Sequence, residues 1–214
     1  GCFAKFLPQH GWRPTVVCED WPVGSPDYDP EFVGTFPECV NVVRVKRPNE
    51  RGLYQRFLLR KFLPYLKPHH TPFLWWEKAR KCIRELFEVT SFDAIWATSD
   101  PLTPMGLAEE FSKIHRIPWI ADIRDSFFVQ SLGSWYKRPF LAYREGRLCA
   151  SANKVITVSE GLAQGIQERT ALKPSVIRNG FDSTLFPADP KVNSDKFRIL
   201  YTGKLYHDPT PLIL

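Results

Sequence analysis

Lys154-Val155-Ile156-Thr157-Val158 runs into Ser159-Glu160-Gly161-Leu162, and after a helix-length interval Ser175-Val176-Ile177 runs into Arg178-Asn179-Gly180-Phe181-Asp182. The reading of this stretch decides the fold. Two short β-branched runs stand either side of a helical segment, and the second ends in a turn. Strands alternating with helix-length segments indicate a parallel α/β architecture. Ser159 is placed to cap the intervening helix, which then opens at the carboxyl end of the strand before it. Open α/β sheets bind ligands at that edge. Ser159, Glu160 and Asn179 are therefore expected in a ligand cleft.

Beyond the turn come Leu185-Phe186-Pro187, a polar stretch to Lys196, and a fresh apolar run, Phe197 to Tyr201, closed by Thr202-Gly203-Lys204-Leu205. A strand after such a linker marks a new domain. The expected division is residues 1–187 for one domain and 188–214 for the linker and the start of a second.

The ordered succession VITVSEGL, VIRNGFD and RILYTGKLY resembles the domain junction of GT-B glycosyltransferases of family 4. That resemblance implies a Rossmann-like, doubly wound parallel sheet in an amino-terminal, acceptor-side domain, followed by a donor-binding domain. It implies sugar transfer with retention of configuration from a nucleotide-sugar donor, UDP- or GDP-linked, with no cofactor and no metal. Gly203 and Lys204 fall where the family places a glycine and a basic residue, usually arginine, beside the donor diphosphate. Lysine keeps the charge and loses the planar fork. The second basic residue that usually follows is absent from His207 to Thr210.

The same resemblance implies a first strand with a glycine-rich loop ahead of Gly1, and a Glu-x7-Glu motif beyond Leu214. The 214 residues are thus expected to be a fragment without activity of its own. The closest look is of bacterial enzymes of cell-surface polysaccharide and lipopolysaccharide synthesis, whose acceptors are glycans or lipid-linked sugars. A GT-B nucleotide-sugar epimerase and a non-catalytic sugar- or membrane-binding module remain as alternatives.

Composition fits a packed core, with 43% hydrophobic residues. No run of about 18 uncharged apolar residues is present, so no spanning helix is expected. The five cysteines (Cys2, Cys18, Cys39, Cys82, Cys149) are scattered without a Cys-x-x-Cys pair. They read as small buried hydrophobes in a reducing cytoplasm. Net charge is +6, but from Arg44 to Lys67 eight basic residues face Glu50 alone, so that segment carries +7 and the remainder −1. Within it Leu53, Phe57, Leu58 and Phe62 recur at helical spacing among Arg51, Arg56, Arg60 and Lys61. This basic amphipathic stretch reads either as a peripheral contact with the anionic inner face of the cell membrane or as a solvated surface helix. No nucleic-acid fold accompanies the charge, so nucleic acid is not an expected partner.

Along the rest of the chain, Gly1 to His10 reads as the end of a helix stopped by Gly11, and Trp12 to Cys18 and Val40 to Lys46 read as strands. Glu19 to Glu38 reads as loop. His69 and His70 sit between prolines without a third ligand at metal spacing. Trp75 to Val89 puts Trp76, Ala79, Ile83, Leu86 and Phe87 on one helical face. Asp93 to Thr98 is a buried strand, and Ser99, Asp100 and Thr103 belong to the turn that follows, with Thr103 as N-cap before Pro104. Those three serve either as ligand contacts or as caps. Ile117 to Asp125 is the next strand and ends in Asp122, Arg124 and Asp125, where arginine offers donors for phosphate or carboxylate and aspartate accepts from sugar hydroxyls. An internal Arg–Asp pair is the alternative. Many relatives have a histidine where Arg124 stands, and arginine cannot serve as a base. No catalytic residue is assigned. Ser134 to Ala152 reads as a helix in which Glu145, similar to a family glutamate, is expected to be solvated.

Overall fold

The computed structural model describes residues 2–25, 36–46, 73–99, 102–125 and 138–185. The chain divides into two compact units, Gly1–Phe181 and Asp182–Leu214. In the second unit the described residues form one 3-10 turn, Ser183–Leu185. Asp182 starts it, its Oδ1 accepting from Thr184 N at 3.0 Å and Thr184 Oγ1 at 2.6 Å.

The first unit opens with α1 (Cys2–Phe6) and a 3-10 turn (Leu7–His10). Gly11 ends it at φ 80, a left-handed conformation that glycine adopts at no steric cost. Strands β1 (Thr15–Asp20) and β2 (Asn41–Lys46) form a parallel pair. Helix α2 (Phe73–Val89) follows, then β3 (Ile95–Thr98), α3 (Thr103–His115), β4 (Trp119–Ile123), α4 (Arg138–Ser151), β5 (Lys154–Thr157), α5 (Glu160–Thr170) and β6 (Ser175–Val176). Strands β3, β4, β5 and β6 make a second parallel sheet in that order. Parallel neighbours need a crossover, and α3, α4 and α5 supply the three. The protein is α/β with parallel sheets, in the Rossmann-like manner expected from sequence.

The central strands are apolar on both faces because helices cover them. Trp119, Ala121 and Ile123 of β4 are at most 1% exposed. They pack with Ala97 and Val155 of the neighbouring strands against Met105, Ala108, Leu141, Leu148 and Ile166 from α3, α4 and α5. Trp119 can be buried because its indole N–H reaches Ser151 O at 2.8 Å. A second cluster joins Val45 of β2 to Trp75 and Ala79 of α2 and to Leu107 and Phe111 of α3, so α3 contributes to both cores. Register aligns the carboxyl ends of the four strands: Thr98 lies opposite Asp122, Ile123 opposite Thr157, and Thr157 opposite Val176.

Several local expectations need correction. Glu19 and Asp20 belong to β1, where Asp20 lies opposite Lys46, rather than to the loop. On α2 it is Trp75, 6% exposed, that turns inward, its N–H donating to Val45 O at 3.0 Å, while Trp76 is half-buried. Glu145 is not solvated: it has no exposed surface and pairs with Arg169 at 2.7 Å, joining α4 to α5. Cys149 is buried as expected, but Cys39 is exposed. The basic stretch with Arg51, Arg56, Arg60 and Lys61, the histidines His69 and His70, and the strand from Phe197 with Gly203 and Lys204 lie outside the described residues, as does Asp100.

Candidate functional site

The aligned carboxyl ends of β3, β4 and β6 bring together residues from three segments that are far apart in sequence. Asp122 is the last but one residue of β4 and only 2% exposed. A buried carboxylate needs donors. Three converge on its Oδ2: Trp96 Nε1 at 3.3 Å, Thr98 Oγ1 at 3.2 Å and Arg124 Nε at 3.0 Å. Trp96 and Thr98 are two apart on β3 and so share one face of the strand. The ring of Phe3 in α1 lies on that of Trp96, with centroids 4.2 Å apart.

Arg124 is held from two sides. Its Nε donates to Asp122, and its Nη1 donates to Asn179 Oδ1 at 2.8 Å, in the turn after β6. The planar guanidinium is thereby fixed, with its Nη2 unused among the described residues and its side chain 41% exposed. Ser99 closes the network on the β3 side. Its N–H donates to Asp122 O at 2.9 Å, and its Oγ accepts from Arg124 N at 3.3 Å. Asp125 follows on the exposed side. Charges Asp122 and Arg124 offset each other within the network.

The N-termini of α3 and α5 at this edge differ. At α5, Ser159 Oγ accepts from Leu162 N at 3.3 Å and Glu160 occupies the first turn. Ser159 thus serves the helix, and Glu160 complements its dipole. At α3 the N-cap is Leu102, without a side-chain cap. Thr103 is therefore the first helical residue and not the cap. It is fully buried, and its Oγ1 has no hydrogen-bond partner among the described residues. A cavity of about 210 Å³ lies between the last turns of α2 and α3, lined by Phe87, Phe111, Ile114 and His115 among others, and shares no residue with this edge.

Of the sequence-derived cleft residues, the structure joins Ser99, Asp122, Arg124 and Asn179 in one hydrogen-bonded network, and leaves Thr103, Asp125, Ser159 and Glu160 outside it. Sequence reasoning missed Trp96 and Thr98. The available signal was their period-two spacing at the end of a strand otherwise built for the core. Residues 3–180 match a family model described as a glycosyl transferase 4-like domain. No curated protein matches the chain.

Proposed function

We propose, because this chain belongs to the glycosyl transferase 4-like domain family, that it forms the acceptor side of a GT-B enzyme transferring sugar from a UDP- or GDP-linked donor with retention of configuration. In that reaction the anomeric carbon exchanges its bond to the diphosphate oxygen for one to an acceptor hydroxyl oxygen. The nucleoside diphosphate leaves with the bonding electron pair, and the hydroxyl proton is released. Such a site must neutralise the leaving diphosphate and orient the acceptor hydroxyl.

The observation that carries the reading is the line Asp122, Arg124, Asn179 inside the matched residues. Its charges are internally offset, which suits the uncharged hydroxyls of a glycan or lipid-linked acceptor. The diphosphate falls to Gly203 and Lys204 in the second unit. Acceptors of cell-surface polysaccharide synthesis fit this division, and the basic stretch with Arg51, Arg56, Arg60 and Lys61 would hold the protein at an anionic membrane surface. Among the described residues no helix is long and apolar enough to cross a membrane.

Two measurements test this. Saturation-transfer NMR with a panel of methyl glycosides is expected to detect binding that Arg124→Lys weakens about tenfold, since lysine keeps the charge but not the fork. No binding across the panel, or equal binding by the variant, refutes the assignment of the cleft. Replacing Arg51, Arg56, Arg60 and Lys61 by glutamine should weaken binding to anionic vesicles, and unchanged binding refutes the membrane contact.

A further inference from the structure

The outer surface of α3 and α4 carries a charge imbalance that the cleft does not use. Glu109 of α3, 7% exposed, is shared between two cations. Its Oε1 accepts from Lys113 Nζ and its Oε2 from Arg147 Nη2, each at 2.7 Å. Arg144 stands one helical turn before Arg147 on α4, so the two guanidinium groups share a face. Three positive charges therefore meet one carboxylate whose oxygens are both engaged.

Arg144 is the unusual member. It is half-buried, its Nε is buried without a hydrogen-bond partner, and it makes no ion pair among the described residues. Burial, and then the neighbouring Arg147 charge, hold its pKa below the ordinary value for arginine. A desolvated guanidinium without an acceptor is unfavourable, and more so beside a like charge. A tetrahedral anion between the helices would offset the adjacent like charges, because its oxygens accept from the terminal nitrogens that a guanidinium presents. Glu109 lies six residues beyond Thr103, about 9 Å along the helix axis, so the cluster is separate from the carboxyl edge of the sheet.

We propose that Arg144, Arg147 and Lys113 form a binding site for a phosphate group, held between α3 and α4 and outside the sugar cleft. The terminal Nη donors of Arg144 face one phosphate oxygen, the donors of Arg147 and Lys113 not used by Glu109 take the others, and the buried Arg144 Nε reports on the site without contacting the anion. The recessed position of Arg144 favours a phosphate that enters singly, on a small soluble molecule, over the plane of a lipid surface.

The test uses the labelled 214-residue chain and inorganic phosphate at constant ionic strength, with chloride as the reference. The Arg144 Nε–H resonance, assigned by its loss in Arg144→Gln, is expected to shift saturably with phosphate, and phosphate is expected to raise Tm. Arg144→Gln should abolish the Tm response and, in chloride, leave Tm unchanged or higher, since it removes an uncompensated cation. Lys113→Gln should weaken phosphate binding about tenfold. A stationary Arg144 resonance overturns the proposal. So does a phosphate response that persists in Arg144→Gln, which would put the anion on the basic stretch between Arg44 and Lys67. A marked loss of Tm for Arg144→Gln in chloride also overturns it, because Arg144 would then have a protein partner. Phosphatidic acid vesicles compared with phosphatidylcholine vesicles identify the source: a shift of the Arg144 resonance by vesicles alone overturns the soluble ligand and assigns the phosphate to a lipid headgroup.

Discussion

Replacing Arg169 with methionine removes a charged partner of a carboxylate that has no exposed surface. Glu145 of α4 is 0% exposed, and the Arg169 side chain that pairs with it at 2.7 Å is 22% exposed. Breaking a buried pair by removing one member costs about 3–5 kcal/mol, because the remaining charge stays in a low dielectric. The partial opening at Arg169 lets water follow, so the lower end, about 3 kcal/mol, is expected. At about 2–4 °C per kcal/mol for a chain of this size, Tm should fall by roughly 6–12 °C. Thermal unfolding followed by circular dichroism reads this directly. Glu145→Leu combined with Arg169→Met removes both charges and should return to within about 1 kcal/mol of the parent. The exposed pair Lys81 and Glu85, 3.7 Å apart, is the control, and Lys81→Met should cost no more than about 0.5 kcal/mol. A single Arg169 variant that melts within about 2 °C of the parent, or a double variant as unstable as the single, refutes the reasoning.

Three further outcomes follow from the packing of α3, α4 and α5. A Cβ added at Gly146 would stand 3.2 Å from Thr170 Cγ2. Thr170 cannot turn away freely, because its hydroxyl donates to Ile166 O at 2.7 Å and accepts from Leu172 N at 3.2 Å. Gly146→Ala should therefore destabilise by about 1 kcal/mol despite its better helix propensity, and a gain in denaturant midpoint would contradict this. Burial pushes the Glu109 carboxyl up, but the hydrogen bond from Lys113 and the Arg147 charge outweigh it and hold the pKa below its ordinary 4.5. A carboxylate depressed in the folded state stabilises above its unfolded value and loses that contribution as pH falls through the folded one. Stability should decline below about pH 4.5, with a shallower slope in Glu109→Gln; identical slopes would exclude Glu109 as a contributor. Burial, followed by the Glu145 charge, pushes the Cys149 thiol up to about 12, whereas Cys39 is exposed. Iodoacetamide at neutral pH should label Cys39 readily and Cys149 only on unfolding, and comparable rates would mean that α4 opens in the native state.

The strand–helix alternation from Lys154 to Ile177 was legible because each parallel strand covered on both faces must be a short apolar run. Arg124 was legible as an edge residue because a charge directly after such a run does not continue into the core, whereas the 2% exposure of Asp122, inside β4, was not legible. Thr103 was misplaced by one position, since Pro104 fits either of the first helical positions and sequence does not distinguish them. Glu145 was misjudged because its burial depends on Arg169, 24 residues away, which local spacing does not reveal.

By itself, the sequence determined the α/β class, the order of strands and helices in the first unit, and the edge of the sheet at which polar residues gather. Those properties follow from hydrophobic period and turn chemistry, which act over a few residues. Only the tertiary structure decided that Trp96 and Thr98 share one carboxylate oxygen with Arg124, that Arg124 reaches Asn179 across 55 positions, and that Arg144 Nε is buried without a hydrogen-bond partner among the described residues. Such pairings depend on strand register and helix packing, in which residues distant along the chain are brought within hydrogen-bond reach, and no local pattern encodes them.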